Sequence, residues 1–228
     1  MTILVATGLQ REHRILAGPD VEVIVGGGDR VRLEATLDRL APGMRGIISI
    51  GIGGALAPGL RPGDWVVADA VLVDGEKMPT DQAWANRLAT CLTAARRGLL
   101  IGADAIVSEA PQKAVLHRTT GAVAVDMESH VAARVARRHR LPFTVARVVS
   151  DAADRTLPPA ALVGMRPDGG VDLPAVLRSL LGNPLQLPAL IRTGLEAERA
   201  FRSLLGGYRR LGSGLVGPDL GELPLDMA

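Results

Sequence analysis

Four short stretches hold side chains that could do chemistry. Asp126-Met127-Glu128-Ser129 sets two carboxylates at the start of a helical pattern. Such acids can simply oppose the positive end of the helix dipole. Turned outward, Glu128 could instead accept hydrogen bonds from a pair of sugar hydroxyls while Met127 packs on the ribose face. Ser150-Asp151 follows the β-rich run 143–149. An aspartate there is either a turn-forming cap or a ligand-facing acid, because ligands collect at the carboxyl ends of strands in open α/β sheets. In Gly8-Leu9-Gln10-Arg11-Glu12-His13-Arg14, Glu12 reads either as a solvated helix acid or as a general base. The run Gly51-Ile52-Gly53-Gly54-Ala55-Leu56-Ala57-Pro58 reads either as a tight turn or as backbone that lets a ligand come close and offers N–H groups to an anion or sugar oxygen. It has neither the spacing of a dinucleotide fingerprint nor the Gly-Lys-Ser/Thr of a phosphate loop. His13, His117, His130 and His139 lack ligand spacing, so no metal is expected.

These stretches must be positioned by alternating elements. Short Val/Ile/Leu runs at 2–6, 21–25, 47–50, 65–73, 99–107, 123–126 and 143–149 read as strands, several of them continuous enough to be covered on both faces. Helical patterns occupy 29–40, 81–97, 127–139 and 187–205. The alternation predicts an α/β fold, a single-domain three-layer α/β/α arrangement with a mostly parallel, twisted mixed central sheet. Residues 1–206 are expected to form that domain. The proline-rich, apolar stretch 157–188 reads as an irregular flap with a short helix, and 207–228 as a loosely held tail.

Composition removes several classes. With 47% hydrophobic residues in 228, the chain can bury a core and is not disordered. Only 2% are aromatic, which disfavours a stacking platform for single-stranded nucleic acid. Of 26 basic residues only Lys77 and Lys113 are lysines, and the arginines are interspersed with acids for a net charge of +2, so they read as solvated helix faces rather than a nucleic-acid groove. The lone Cys91 allows no intrachain disulfide. No membrane span or signal peptide is read, and a cytoplasmic protein is expected, with peripheral membrane contact left open.

Taken together and in order, the motifs resemble the nucleoside phosphorylase and nucleosidase superfamily, in its methylthioadenosine/S-adenosylhomocysteine nucleosidase branch. The matching stretches are the first strand running into Glu12, then Gly26-Gly27-Gly28, ISIGIGGALAPGLRPGD (49–64 with its preceding isoleucine), GLLIGADAIV (98–107), AVDME (124–128) and LPFTVARVVSDAAD (141–154). The resemblance implies cleavage of a purine N-glycosidic bond. Asp151 would protonate purine N7 or hydrogen-bond to it, with Ser150 orienting it. Glu12 would activate water, Glu128 would hold the sugar hydroxyls, and Met127 would pack on the sugar. Ile106 and Val107 would line the purine. The acid role needs a dry surrounding that favours a protonated carboxyl, which Ile106, Val107 and Val149 could supply.

The sequence also departs from that pattern. Ile52, beside Gly53, stands where a serine that holds water or phosphate is common, and Ile106 replaces a stacking phenylalanine. The stretch between Glu12 and Gly26 is short, which leaves the sugar's 5′ side open and apolar. These departures and VGMRPDGGVDLPAVLRSLL (163–181) are most like the hopanoid-associated nucleosidase/phosphorylase subgroup. That likeness implies adenosylhopane as substrate and a ribosyl- or phosphoribosyl-hopane as product. Methylthioadenosine, S-adenosylhomocysteine or futalosine are alternative substrates, and a non-catalytic nucleoside- or lipid-binding protein is a different class. No cofactor is expected, with phosphate open as a co-substrate gripped by Gly8, Arg11 and Arg14. The resemblance further implies a homodimer.

Overall fold

The computed structural model describes residues 2–92, 94–164, 166 and 168–218. Its strands are β1 (Ile3–Thr7), β2 (Val21–Val25), β3 (Ile47–Ala55), β4 (Trp65–Val73), β5 (Glu76–Pro79), β6 (Arg96–Gly102), β7 (Ala124–Asp126) and β8 (Phe143–Asp151). Its helices are α1 (Gln10–Leu16), α2 (Arg30–Leu40), α3 (Gln82–Cys91), α4 (Ala110–Thr120), α5 (Ser129–His139), α6 (Pro159–Leu162), α7 (Leu173–Gly182) and α8 (Leu187–Leu211).

The central strands form because their β-branched runs are covered on both faces: all five residues of β1 are buried, as are eight of the nine in β8. One side of the sheet packs Leu4, Ile47 and Val145 against Leu33 and Leu37 of α2 and Val131 and Val135 of α5. The other packs Val5, Ile48 and Val148 against Leu16 of α1, Trp84 and Leu88 of α3, and Phe201 and Leu204 of α8. Three layers result, as the alternation of elements implies. Helix α5 shows the local logic. Its apolar positions turn inward, while Arg134 and Arg138 reach Glu34, and Arg137 reaches Glu76.

Pairing is parallel for β1 with β2 and β3, for β3 with β8, and for β6 with β4 and β7. It is antiparallel for β3 with β7, β4 with β5, and β4 with β8. The sheet is therefore mixed and mostly parallel. It also curls further than an open sheet: β3, β8, β4, β6 and β7 pair in a closed circuit. Strands β3 and β4 achieve this by exchanging neighbours along their nine-residue lengths.

Several boundaries differ from the sequence reading, each for a physical reason. The glycine run is not a turn: β3 continues to Ala55 because Gly51, Ile52 and Gly53 stay in register with Arg147, Val148 and Val149 of β8. Helix α3 ends at Cys91 because Arg96 and Arg97 join β6 beside β4. Strand β6 stops at Gly102, so Ile106 and Val107 lie in the loop beyond it. The flap is largely helical, through α6, α7 and the 3-10 turn Pro184–Gln186. The tail is anchored as far as it is described: Leu215 is buried, its carbonyl accepts from Trp84 Nε1 at 3.0 Å, and Arg87 donates to the Gly217 carbonyl at 2.8 Å. Residues 219–228 of the expected tail lie outside the described residues.

Candidate active site

The carboxyl ends of β1, β3, β7 and β8 and the loop after β6 converge on one cleft of about 190 Å³. Ten of the sequence-derived candidates line it: Gly8, Glu12, Ile52, Gly53, Ile106, Val107, Met127, Glu128, Ser150 and Asp151. Leu9, Val125 and Leu157 add apolar wall. Arg11 and Arg14 are not among the lining residues. Arg11 pairs with Glu198 at 2.6 Å and lies 4.2 Å above the Phe201 ring, and Arg14 Nε reaches the Gln10 carbonyl at 3.4 Å. The helix faces that carry them turn toward α8 and solvent, away from the cleft where an anion grip was expected of them.

Glu12 is buried in a nest of donors. Its Oε2 accepts from the Thr7 hydroxyl at 2.5 Å and from the N–H groups of Gly8 and Leu9 at 2.8 and 2.7 Å, and its Oε1 accepts from the Ile52 N–H at 2.6 Å. Gly51 makes room for this. A Cβ there would strike Glu12 Oε1 and sit 2.8 Å from Arg147 Nη1. The N–H groups of Gly8 and Ile52, read from sequence as anion donors, are thus already occupied by a carboxylate.

Glu128 and Asp126 sit at the junction of β7 and α5 and divide the work. Asp126 Oδ1 accepts from the N–H groups of Glu128 and Ser129, at 3.0 and 2.8 Å, and so closes the first turn of α5. That leaves the Glu128 carboxylate free of capping and turned into the cleft. Beneath them lies Arg147 of β8, fully buried. It donates from Nε to Asp126 at 2.7 Å and from Nη2 to Ser49 at 2.5 Å and to Glu128 at 3.4 Å. Its Nη1 has no hydrogen-bond partner among the described residues.

One guanidinium therefore serves three buried acids. Burial pushes the Glu128 carboxyl up to about 8 against the opposing pull of Arg147, and the neighbouring Asp126 and Glu12 add to the rise. Burial acts the same way on Asp126, yet its direct contact with Arg147 wins and holds it below the usual carboxylate range.

Asp151 is the last residue of β8 and lies opposite Gly54 of β3. The Ser150 hydroxyl donates to its Oδ1 at 2.6 Å, with the Gly53 carbonyl as a second acceptor at 3.1 Å. Val149 and Val107 are buried beside it, but Ile106 is 37% exposed at the mouth. The far side is not the apolar wall the sequence suggests. Lys113, reaching in from α4, forms a close ion pair with Asp151 Oδ2.

Sequence reasoning missed Lys113, Arg147, Thr7 and Ser49, and it named Asp126 as an acid at the start of the helix, where Asp126 caps α5. A signal existed for Arg147, since a charge in the middle of a fully buried strand demands partners. None existed for Lys113, whose partner lies 38 residues away. Among the described residues, no group of three or more His, Cys, Asp or Glu side chains could hold a metal ion.

A cleft at strand ends that gathers buried carboxylates and apolar side chains has the make-up of an enzyme's active site. The family model of the phosphorylase superfamily matches residues 29–180, and the chain belongs to that superfamily. The match includes Glu128 and Asp151. Solved structures share the fold. The 5′-methylthioadenosine/S-adenosylhomocysteine nucleosidase of Neisseria meningitidis is 15% identical with a TM-score of 0.67, over 94% of this chain and 98% of that one. That of S. pneumoniae is 16% identical with a TM-score of 0.62, over 93% of this chain and all of the other. The S-adenosylhomocysteine nucleosidase of Streptococcus pyogenes is 19% identical with a TM-score of 0.61, over 93% and 98%.

Proposed function

We propose that the protein releases adenine from a 5′-substituted adenosine by cleaving the N-glycosidic bond. The observation that carries this reading is the separation of acids within one cleft: Asp151 with Ser150 at one end, Glu128 and Glu12 at the other. Asp151 gives a proton to purine N7 as the C1′–N9 bond breaks and its electron pair stays on the base, so neutral adenine departs. A positioned acid of this kind contributes on the order of 10²–10⁴-fold. Water bonds to C1′ and loses its proton to Glu12. Glu128 holds the sugar hydroxyls, Met127 packs on the ribose, and Ile106 and Val107 flank the purine. Water is favoured over phosphate because Gly8, Ile52 and Arg11 are engaged within the protein. The relatives above, which bear the names of methylthioadenosine and S-adenosylhomocysteine nucleosidases, support adenosine chemistry.

Within that class the substrate is adenosylhopane and the product ribosylhopane. Leu9, Ile52, Ile106 and Leu157 give the cleft an apolar rim suited to a hydrocarbon. Beside it, α7, the 3-10 turn that follows and the first half of α8 expose Leu173, Leu177, Leu181, Leu185, Ile191 and Leu195, with Leu181 and Leu185 84% and 90% exposed. Residues 173–195 hold Arg178 and Arg192 and no acid. Such a face suits peripheral contact with a lipid surface, from which a cytoplasmic enzyme would draw the substrate. No helix among the described residues is long and apolar enough to cross a membrane. Pairing into a homodimer completes the proposal.

The test is adenine release from adenosylhopane and from methylthioadenosine, each with and without phosphate. Release from adenosylhopane without phosphate is the expected result. Preference for methylthioadenosine would move the assignment to the small-substrate nucleosidases, a strict phosphate requirement would replace water, and binding without release would leave a non-catalytic module.

A further inference from the structure

Helix α4 buries one side chain among its eleven residues, and that side chain is Lys113. Leu116 of α4 packs only partly buried against a small apolar cluster, and the helix's one fully buried position would ordinarily hold a leucine too. Here it goes to an ammonium with no exposed surface, because Lys113 has three N–H donors and three acceptors meet them. These are Asp151 Oδ2, the Arg155 carbonyl at 2.8 Å and the Ala152 carbonyl at 3.2 Å. The loop after β8 is tied to the same region by Leu157 N–H on the Ser108 carbonyl, 3.0 Å, and by Ala110 N–H on the Thr156 hydroxyl, 3.1 Å. Lys113 therefore holds one oxygen of Asp151 while Ser150 holds the other, which fixes the plane of the carboxyl at the cleft wall.

We infer that Lys113 is a positioning residue for base release: it aims Asp151 at the departing purine and supplies the counter-charge for the carboxylate that remains. This inference rests on the adenine-releasing reading above. Asp151 takes up a proton from solvent through the cleft before each turnover, and as that proton passes to N7 negative charge returns to the carboxyl. A fixed cation already in contact stabilises that charge without reorganising, so it acts on the transition state more than on bound substrate. The cleft itself offers no substitute, because its other ionisable groups are Glu12, Asp126 and Glu128, all acids. Arg147, the other buried Lys or Arg among the described residues, is bonded to Asp126, Ser49 and Glu128.

The experiment compares the unaltered protein with Lys113→Ala and Lys113→Met on whichever adenosine derivative the unaltered protein cleaves. The 7-deaza analogue of that compound, which has carbon in place of N7, reports binding without proton transfer. Both variants should lose about 100-fold in kcat, with KM and analogue binding changed less than about threefold. Propylammonium replaces the atoms missing in Lys113→Ala and should restore at least about tenfold, whereas propan-1-ol, similar in size and uncharged, should not. In an Asp151→Asn background, Lys113→Met should cost nothing further. Unchanged kcat in a folded variant, equal rescue by the alcohol, or a loss confined to KM and analogue binding would overturn the positioning role while leaving adenine release intact. If Lys113→Ala fails to fold, Lys113→Met, which keeps the length of the chain, decides on the same readings. No adenine release by the unaltered protein would overturn the underlying reading itself, and this inference with it.

Discussion

At the Glu128 end of the cleft three carboxylates share one guanidinium, whereas at the Asp151 end a single carboxylate has an ammonium to itself. Both ends are built from buried acids on or just beyond strand termini, so position alone does not distinguish them. Charge balance does. Where acids outnumber cations, burial and mutual repulsion raise one of them, and Glu128 takes that rise while Asp126 keeps the guanidinium. Where the numbers match, the acid is held in place by a dedicated partner. The first arrangement suits a group that exchanges hydrogen bonds with hydroxyls. The second suits a group that must change charge once per turnover.

The most severe way to break the comparison is to remove the shared cation. Arg147→Met leaves Asp126, Glu128 and Glu12 buried without a counter-charge, and breaking such a pair costs about 3–5 kcal/mol. Thermal unfolding should report a fall in Tm of roughly 10 °C. A fall under about 2 °C would mean that the three acids do not depend on Arg147.

A sharper probe is the pH response of Glu128. Its folded-state value near 8 lies above its ordinary 4.5. The group therefore contributes stability that is fully present below about 4.5 and is lost as pH rises through about 8. Glu128→Gln should remove that loss, so the Tm of the variant relative to the parent should climb between pH 5 and pH 9, by on the order of 10 °C. A difference that stays flat across this range would show that Glu128 is ionised throughout. In kinetics, the carboxylate is the better acceptor for sugar hydroxyls, so kcat/KM should rise toward pH 8 in the parent and lose that limb in Glu128→Gln.

The smallest expected effect tests the nest around Glu12. Thr7→Val removes one of the four donors on that carboxylate, worth about 1 kcal/mol, and should lower kcat/KM about fivefold with little change in Tm. An unaltered kcat/KM would show that the three backbone N–H groups hold Glu12 by themselves.

Much of this architecture was legible in the residues. The continuous Val/Ile runs identify strands buried on both faces, and the order of Glu12, the glycine run, Glu128 and Asp151 brings their side chains to one cleft. What was illegible depended on long-range placement. The glycine run reads as a turn because nothing local says that β8 will pair with it through Gly53. The closure of the sheet is hidden because β3 and β4 change partners midway. Lys113 sits in a helix with almost no apolar face, so periodicity shows neither the helix nor its burial. Arg11 and Arg14 looked like an anion grip from their closeness to Gly8, but α1 is only seven residues long and turns both away from the cleft.

The measurement that bears most directly on the account is free adenine, followed by chromatography, from the parent protein and Asp151→Asn incubated with adenosylhopane, alongside calorimetric binding of the same compound. The account predicts release by the parent, a loss of on the order of 10²–10⁴-fold in the variant, and binding by both within a few-fold. Near-parental adenine release by Asp151→Asn would contradict it.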